Sequence, residues 1–494
     1  MAAETRHTRT STSVADAQAL DPRRWLALVI TLAATFLAVL DFFIVNISIP
    51  AIQSNLHASF AQVQLVVAGY GLAYATLMIT GGRLGDIYGR KRMFKTGMAG
   101  FTLASAVCGI SPAPAVLIVA RVVQGAMAAI MIPQVLSIIQ VTFPPQERAT
   151  AFSLYGTAIG AAAVAGQIIG GALIQLDLFG LDWRPVFLVN LPIGMLALIL
   201  AGPLIRESYA PDASHLDLEG VALVSTGLFL LIYPLVEGRE AGWPLWAWGM
   251  LLAAVPVLAG FLRYERWRTL HRGSPLLDLR LFRVRAFSIG LLVALTFFSG
   301  QASFFLTLTL FLQDGLRLSP LEAGLIFVPF AVGFISASLL AAPLAVRLGN
   351  RVLNIGALGM ALGLLMFIAL VHADGVALPA VALVPALLIY GSGQGLVTAP
   401  LFTAILRGVP LEFAGAASGV LTTTQQLAGS LGVALIGIVF FGLLGSDPAP
   451  SRYAIALPVA FVVNTVLALL TCALVALLPR AERNLQVERP LFVE

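Results

Sequence analysis

The sequence predicts an all-α integral membrane protein of fourteen transmembrane helices, built as two six-helix halves with two helices inserted between them. Three observations carry that prediction. Of the 494 residues, 59% are apolar and only 11% charged, which leaves too little polar surface to cover a water-soluble globule. The apolar residues fall in runs of roughly 20 or more, enough to cross about 30 Å of hydrocarbon at ~1.5 Å per residue. A stretch that opens one such run, Pro145-Gln-Glu147-Arg-Ala149-Thr-Ala151-Phe-Ser153, recurs as Pro410-Leu-Glu412-Phe-Ala414-Gly-Ala416-Ala-Ser418, as expected of a duplicated half.

In chain order, residues 1–24 are polar, rich in Ser, Thr and Ala, and lack a short apolar stretch before a cleavage site, so a disordered cytoplasmic tail is expected. The first half, 25–205, holds spanners at 25–50, 61–81, 93–111, 114–141, 149–176 and 186–205. The segment 206–285 holds the inserted pair, 217–236 and 245–264, and a basic cytoplasmic linker. The second half, 286–479, holds spanners at 286–313, 320–344, 352–371, 378–406, 413–442 and 453–479, and 480–494 forms a second cytoplasmic tail. Further matches support the duplication: Leu84 and Gly89 after spanner 2 correspond to Leu344 and Gly349 after spanner 10, and Gln124-Gly125 to Gln394-Gly395.

Charge sorting sets the expected topology. With both termini inside, the 29 Lys and Arg crowd into cytoplasmic segments, among them Arg90, Lys91, Arg92, Lys95 and the run from Arg263 to Arg285. Only Arg184, Arg239, Arg317 and Arg452 fall outside, and Arg121 lies within a spanner. The basic pI therefore reads as membrane topology, and the dispersal of the positive charge argues against a nucleic-acid partner. All six tryptophans lie at spanner ends or in flanking loops, where an amphipathic ring anchors at the interface.

Within the spanners, the polar residues that need explaining are few. Asp41 is the only acidic residue well inside one, about 13 Å from the outer end at ~1.5 Å per residue. An ionised carboxylate costs several kcal/mol in hydrocarbon, so Asp41 is expected to face a cavity and to exchange a proton, the alternative being a carboxylate permanently satisfied by neighbouring hydroxyls and amides that holds helices together without titrating. Arg121 lies at a similar depth, with Asp41, backbone carbonyls or a neighbouring helix as possible partners and snorkelling as the bland alternative. Asn46, Gln124, Gln134, Gln167, Gln301, Gln394, Gln425 and Gln426 are candidates to line a cavity, although hydrogen bonds between helices explain such residues equally well.

Gly82-Arg-Leu84-Gly-Asp86-Ile-Tyr-Gly89-Arg90-Lys91-Arg92 places a carboxylate in a tight basic loop between spanners 2 and 3. Asp86 is expected to sit against the positive N-terminal end of a helix from the other half, such as spanner 13 near Glu412, as a latch. The alternative is a plain topology anchor. Gly156, Gly160, Gly166, Gly170 and Gly171 let spanner 5 approach a neighbour closely; spacing alone points to ordinary packing.

Other chemistries lack their residues. Neither of the two lysines lies in a Gly-Lys-Ser/Thr loop, HExxH and GxSxG are absent, and no His accompanies Cys108 or Cys472 in the spanners. An enzyme, a metal site and a bound cofactor are not expected.

With these residues in hand, the chain resembles the major facilitator superfamily, specifically its fourteen-spanner drug:proton antiporter branch. Leu40 to Pro50, LDFFIVNISIP, is similar to that branch's first-helix motif, Gly82 to Arg92 to the superfamily loop signature, and Arg121-Val-Val-Gln124-Gly125 to the fourth-helix motif. Asp182-Trp183-Arg184, Phe187 and Asn190-Leu-Pro192-Ile-Gly194 resemble a further stretch of the branch. The fifth-helix motif departs from its pattern, reading Gly166-Gln167-Ile-Ile-Gly170-Gly171 where Gly-Pro is usual. The resemblance implies that Asp41 and Arg121 couple transport to protons and that drugs or secondary metabolites leave the cell by alternating access. A proton-independent facilitator of the same fold is the alternative. Glu322, near the outer end of spanner 10, is the only acidic residue within a predicted spanner of the second half, so monovalent or neutral cargo is expected. The protein is expected to work as a monomer in a bacterial cell membrane.

Overall fold

A computed structural model describes residues 21–479 apart from 178–179, 211–214, 239–240, 272–274 and 446–448. Among the described residues the chain is helical throughout, with no strand. The two expected tails, beyond residues 21–24 and 479, lie outside them.

The first half comprises α1 (Arg24–Asn55), α2 (Phe60–Tyr88), α3 (Arg90–Gly109), α4 (Pro114–Thr142), α5 (Pro145–Leu176), and α6 (Pro185–Leu188) with α7 (Asn190–Leu204). The inserted pair is α8 (Leu218–Glu237) and α9 (Leu245–His271). The second half comprises α10 (Arg285–Leu310), α11 (Pro320–Ile326) with α12 (Val328–Leu348), α13 (Arg351–Asp374), α14 (Val384–Leu406), α15 (Ala414–Leu444) and α16 (Pro450–Val475). Among the described residues, thirteen helices or helix pairs are long and apolar enough to span a membrane. To these α3 adds a spanner-length helix whose first two turns carry Arg90, Lys91, Arg92 and Lys95, which lowers its mean hydropathy.

The duplication is visible in the packing. α1 lies on α5 and α7 as α10 lies on α15 and α16, and α4 is flanked by α2 and α3 as α14 is by α12 and α13. The inserted helices pack on each other, and α8 leans on α2 and α15.

Several boundaries differ from the expected ones for local reasons. Gly82 to Asp86 are not a loop: α2 continues to Tyr88 and α3 starts at Arg90, joined by Gly89 alone, whose φ of +102° is open to glycine. The Glu207 carboxylate makes so short a joint possible, because it accepts the free N–H groups of Lys91 and Arg92 at 3.0 and 3.1 Å and so caps α3. Spanner 6 is broken before Asn190, where Pro192 cannot donate to the Leu188 carbonyl, and spanner 10 is broken at Phe327, just before Pro329. Spanner 9 runs on through a π-turn, Phe311–Gly315. Asp314 therefore sits inside that helix end, and Glu322 is not the only acidic residue in the second half's spanners. Glu322 itself accepts the Ser319 N–H at 2.8 Å in a capping box at the start of α11, which accounts for it structurally.

Candidate functional site

Five helices of the first half converge on Asp41. α1 presents the carboxylate, α4 brings Arg121 and Gln124 on one face at i and i+3, α3 brings Ser105, α7 brings Asn190 from its first residue, and α2 contributes the Val66 carbonyl and the Tyr70 ring. Arg121 Nη1 donates to Asp41 Oδ2 at 2.5 Å, while Gln124 Nε2 and Asn190 Nδ2 donate to Oδ1 at 2.9 and 3.0 Å. Arg121 Nε donates to the Val66 carbonyl at 3.0 Å and Nη1 to Gln124 Oε1 at 2.7 Å, with the guanidinium 4.3 Å over the Tyr70 ring. Ser105 Oγ accepts from Gln124 at 2.7 Å and from Asn190 at 3.3 Å.

Asp41 is 0% and Arg121 1% exposed. The expectation that Asp41 faces a cavity is therefore corrected: in this state it is enclosed, its charge balanced by Arg121 and its lone pairs filled by amides, so it needs no water. Nor does Arg121 snorkel. Towards the Asn55 end the site is plugged by Phe187, whose ring lies 5.6 Å from the guanidinium, and by Trp183 packed edge-on against it. Trp183 is fully buried, its Nε1 donating to Asn55 Oδ1 at 3.3 Å, so it is a plug and not the interfacial anchor its position in the sequence suggests. Arg184 donates to the same Asn55 oxygen at 3.0 Å and to the Ser111 carbonyl at 3.4 Å, tying α1, α3 and the loop before α6 together.

Asn190, Ser105 and Tyr70 were not singled out from the sequence. Lone hydroxyls inside apolar runs, such as Ser105 and Tyr70, carry no signal in one sequence; only the short stretch around Asn190 pointed that way.

At the opposite end, where Arg90, Lys91 and Arg92 lie, the halves meet. Asp86 accepts the backbone N–H groups of Gly415 and Ala416 in the first turn of α15 at 3.1 and 3.0 Å, and Arg90 Nη2 at 2.7 Å. Arg90 also donates to the Leu411 carbonyl at 3.0 Å. A Cβ on Gly82 would collide with the Gly415 carbonyl and one on Gly415 with the Gly82 carbonyl, so α2 and α15 cross with their backbones touching. Ser137 Oγ donates to the Ala414 carbonyl at 3.2 Å, and Gln140 Nε2 to those of Leu406 and Val409 at 3.2 and 3.4 Å.

The glycines of α5 divide their work. A Cβ on Gly166 would meet Phe43 and the Leu40 carbonyl of α1, whereas one on Gly160 would meet the Phe334 ring of α12; Gly171 has ordinary room beside Leu321, and Gly170 is buried. Of the cavity candidates, Gln301 Nε2 donates to Gln394 Oε1 at 2.7 Å, linking α10 to α14 within the second half. Gln425 is partly exposed on α15, and Gln134 bonds the Gly81 carbonyl at 2.7 Å, joining α4 to α2. The side chains of Asn46 and Gln167 lie outside the described residues. The structure thus gathers Asp41, Arg121 and Gln124 into one network and leaves Gln301, Gln394 and Gln425 apart from it.

Comparison with known proteins places this arrangement. The profile of the Major Facilitator Superfamily matches residues 31–433. A probable actinorhodin transporter of Streptomyces coelicolor is 44% identical over 430 residues, 87% of this chain and 74% of the relative. A puromycin resistance protein of Streptomyces alboniger is 38% identical over 432 residues, 86% and 83% of the two chains, and a cephamycin export protein of Amycolatopsis lactamdurans 36% over 471 residues, 93% of each. The fold is similar to that of the human organic anion transporter MFSD10, with a TM-score of 0.65 at 16% identity over 92% of this chain and 100% of that one. It is also similar to the proton:xylose symporter XylE, with a TM-score of 0.62 at 15% identity over 90% and 94%.

Proposed function

The chain belongs to the Major Facilitator Superfamily, and from that premise we propose that it exports small amphipathic compounds in exchange for protons by alternating access. The observation that carries this reading is the ion pair of Asp41 and Arg121, enclosed in an apolar bundle within one half. The named antibiotic exporters among its relatives support the direction of transport and the kind of cargo. By the positive-inside rule we place the Asp86 end in the cytoplasm, with both termini, in a bacterial cell membrane. The contacts of Asp86, Gly82, Ser137 and Gln140 with the second half then close the cytoplasmic side, and they must part for cargo to enter.

Protonation of Asp41 would weaken this network. It would turn Asp41 into an O–H donor and remove the charge opposite Arg121, yet the guanidinium would keep the Val66 carbonyl, Gln124 Oε1 and the Tyr70 face. The network can therefore exist in two charge states with different balances between the helices it joins, which is what coupling a proton to rocking of the halves requires. Asp86 at the N-terminus of α15 acts as the latch of the closed cytoplasmic side. The complete enclosure of Asp41 favours a second reading, a proton-independent facilitator in which the carboxylate only holds helices together.

Efflux of a fluorescent lipophilic monocation from everted vesicles, with and without an imposed proton gradient, separates the two. Under the antiport reading, wild-type efflux follows the gradient and Asp41→Asn abolishes it at matched expression. Efflux equally fast without a gradient, or in Asp41→Asn, would leave the facilitator.

A further inference from the structure

A second buried acidic site lies between the inserted pair and α2, outside the network around Asp41. Asp217 caps α8, its Oδ1 accepting the Gly220 N–H at 3.0 Å, and is 2% exposed; Glu265 of α9 is 0% exposed, its Oε2 accepting the Leu277 N–H at 3.0 Å. Their remaining oxygens, Asp217 Oδ2 and Glu265 Oε1, converge on one point beside Gly220, where an added Cβ would meet them at 2.7 and 2.6 Å. Among the described residues neither oxygen receives a hydrogen bond. Asp217 Oδ2 has only the Arg268 ion pair and Glu265 Oε1 no donor among the described residues, so a proton shared between the two oxygens would satisfy both.

The surroundings do not supply it. Arg268 Nε lies 3.2 Å from Asp217 Oδ2, and Arg268 Nη1 donates to the Tyr264 hydroxyl at 2.8 Å. That hydroxyl faces both Asp217 Oδ1 at 2.9 Å and Glu219 Oε2 at 2.7 Å with a single hydrogen to give. In the linker, Asp278 and Arg280 are committed to each other at 2.6 Å. On α2, Arg83 is buried with its Nε unpartnered, one turn before Asp86, which is paired with Arg90. Arg83 lies within reach of the charges of Asp86, Glu265, Asp278 and Asp217, while Glu219 is exposed at the surface.

We propose that Asp217 and Glu265 hold one proton between them, forming a second proton-binding site that acts through Arg83 on the contact of Asp86 with α15. The proton sits on Glu265 Oε1 and is donated to Asp217 Oδ2. When it leaves to water, both carboxylates are charged and draw Arg83 away from Asp86, weakening the closed end. This effect on the latch rests on the reading of Asp86 given above; the shared proton does not.

Infrared difference spectroscopy of the full-length protein in liposomes, titrated from acid to alkaline pH, reads the proton directly and needs no cargo. The expected result is a protonated-carboxyl band that disappears as the pH rises, persists in Asp41→Asn and is lost in Glu265→Gln. No such band in wild type, or a band unchanged in Glu265→Gln, overturns the proposal. Glu265→Gln supplies the missing donor permanently, so its thermal midpoint should match wild type in acid and stay level where wild type falls as the pH rises above the ordinary carboxyl range. A Glu265→Gln protein less stable than wild type at every pH also overturns it, since the amide imitates the protonated acid. Failure of gradient-driven efflux alongside a normal band would count against the transport reading alone.

Discussion

Arg121 has three acceptors and two aromatic faces, and only one of the acceptors carries charge. Asp41→Asn therefore leaves a buried guanidinium without its counter-ion, a loss of about 3–5 kcal/mol for broken buried pairs, and should lower the thermal midpoint as well as stop coupled efflux. Removing the second charge too, in Asp41→Asn with Arg121→Gln, should restore most of that stability while efflux stays absent; thermal unfolding in detergent compares the three proteins. Arg121→Lys, by contrast, keeps the charge but cannot reach Val66, Gln124 and Asp41 together, and coupled efflux should fall by roughly tenfold or more. At this scale the sequence is legible where a charge interrupts hydrocarbon, because few physical reasons exist for one there. Asp41 and Arg121 could be named and their depths matched, yet their pairing could not be decided, and Ser105 and Tyr70 stayed hidden because lone hydroxyls are unremarkable in helices. Asp217 and Glu265 were hidden differently: both fall at the ends of apolar runs, where a carboxylate is expected to be wet.

Among the elements, α2 and α15 are held in contact by two glycines and a carboxylate. Gly415→Ala places a methyl on the Gly82 carbonyl, which neither backbone can yield without parting; the Asp86 end should open, seen as faster thiol labelling of a cysteine introduced at Ser137. Asp86→Asn removes the charge from the first turn of α15, worth about 1–2 kcal/mol in a buried setting, and should shift the same labelling in the same direction but less far. The crossing of these helices was legible from Gly82, Asp86 and the repeat around Glu412, since a carboxylate beside glycines suits a helix N-terminus. What the sequence concealed was that this stretch is helix and not loop. The evidence for that lies more than a hundred residues away, in the Glu207 carboxylate that caps α3 and leaves Gly89 as the whole joint.

For the molecule as a whole, apolar runs and the repeat at Pro145 and Pro410 were enough to foresee two halves and an inserted pair, because lipid forces every backbone polar group into helix and sorts charge to the loops. Closure at one end was not foreseeable, since a single sequence encodes every state of the cycle. It leads to a direct test: with Cys108 and Cys472 replaced by Ser, Ser137→Cys and Ala414→Cys should form a cross-link that halts efflux, and reductant should release it. Cross-linked protein that still transports at the wild-type rate would mean the two halves need not separate there. Among the described residues, the partners of Asp41 come from α4 and α7 and the groups that hold those partners from α2 and α3, none from beyond residue 190. Under the antiport reading, the second half can then change without touching the carboxylate network, so grafting residues 286–479 of a related exporter onto this first half should leave gradient dependence intact even where the compound carried changes.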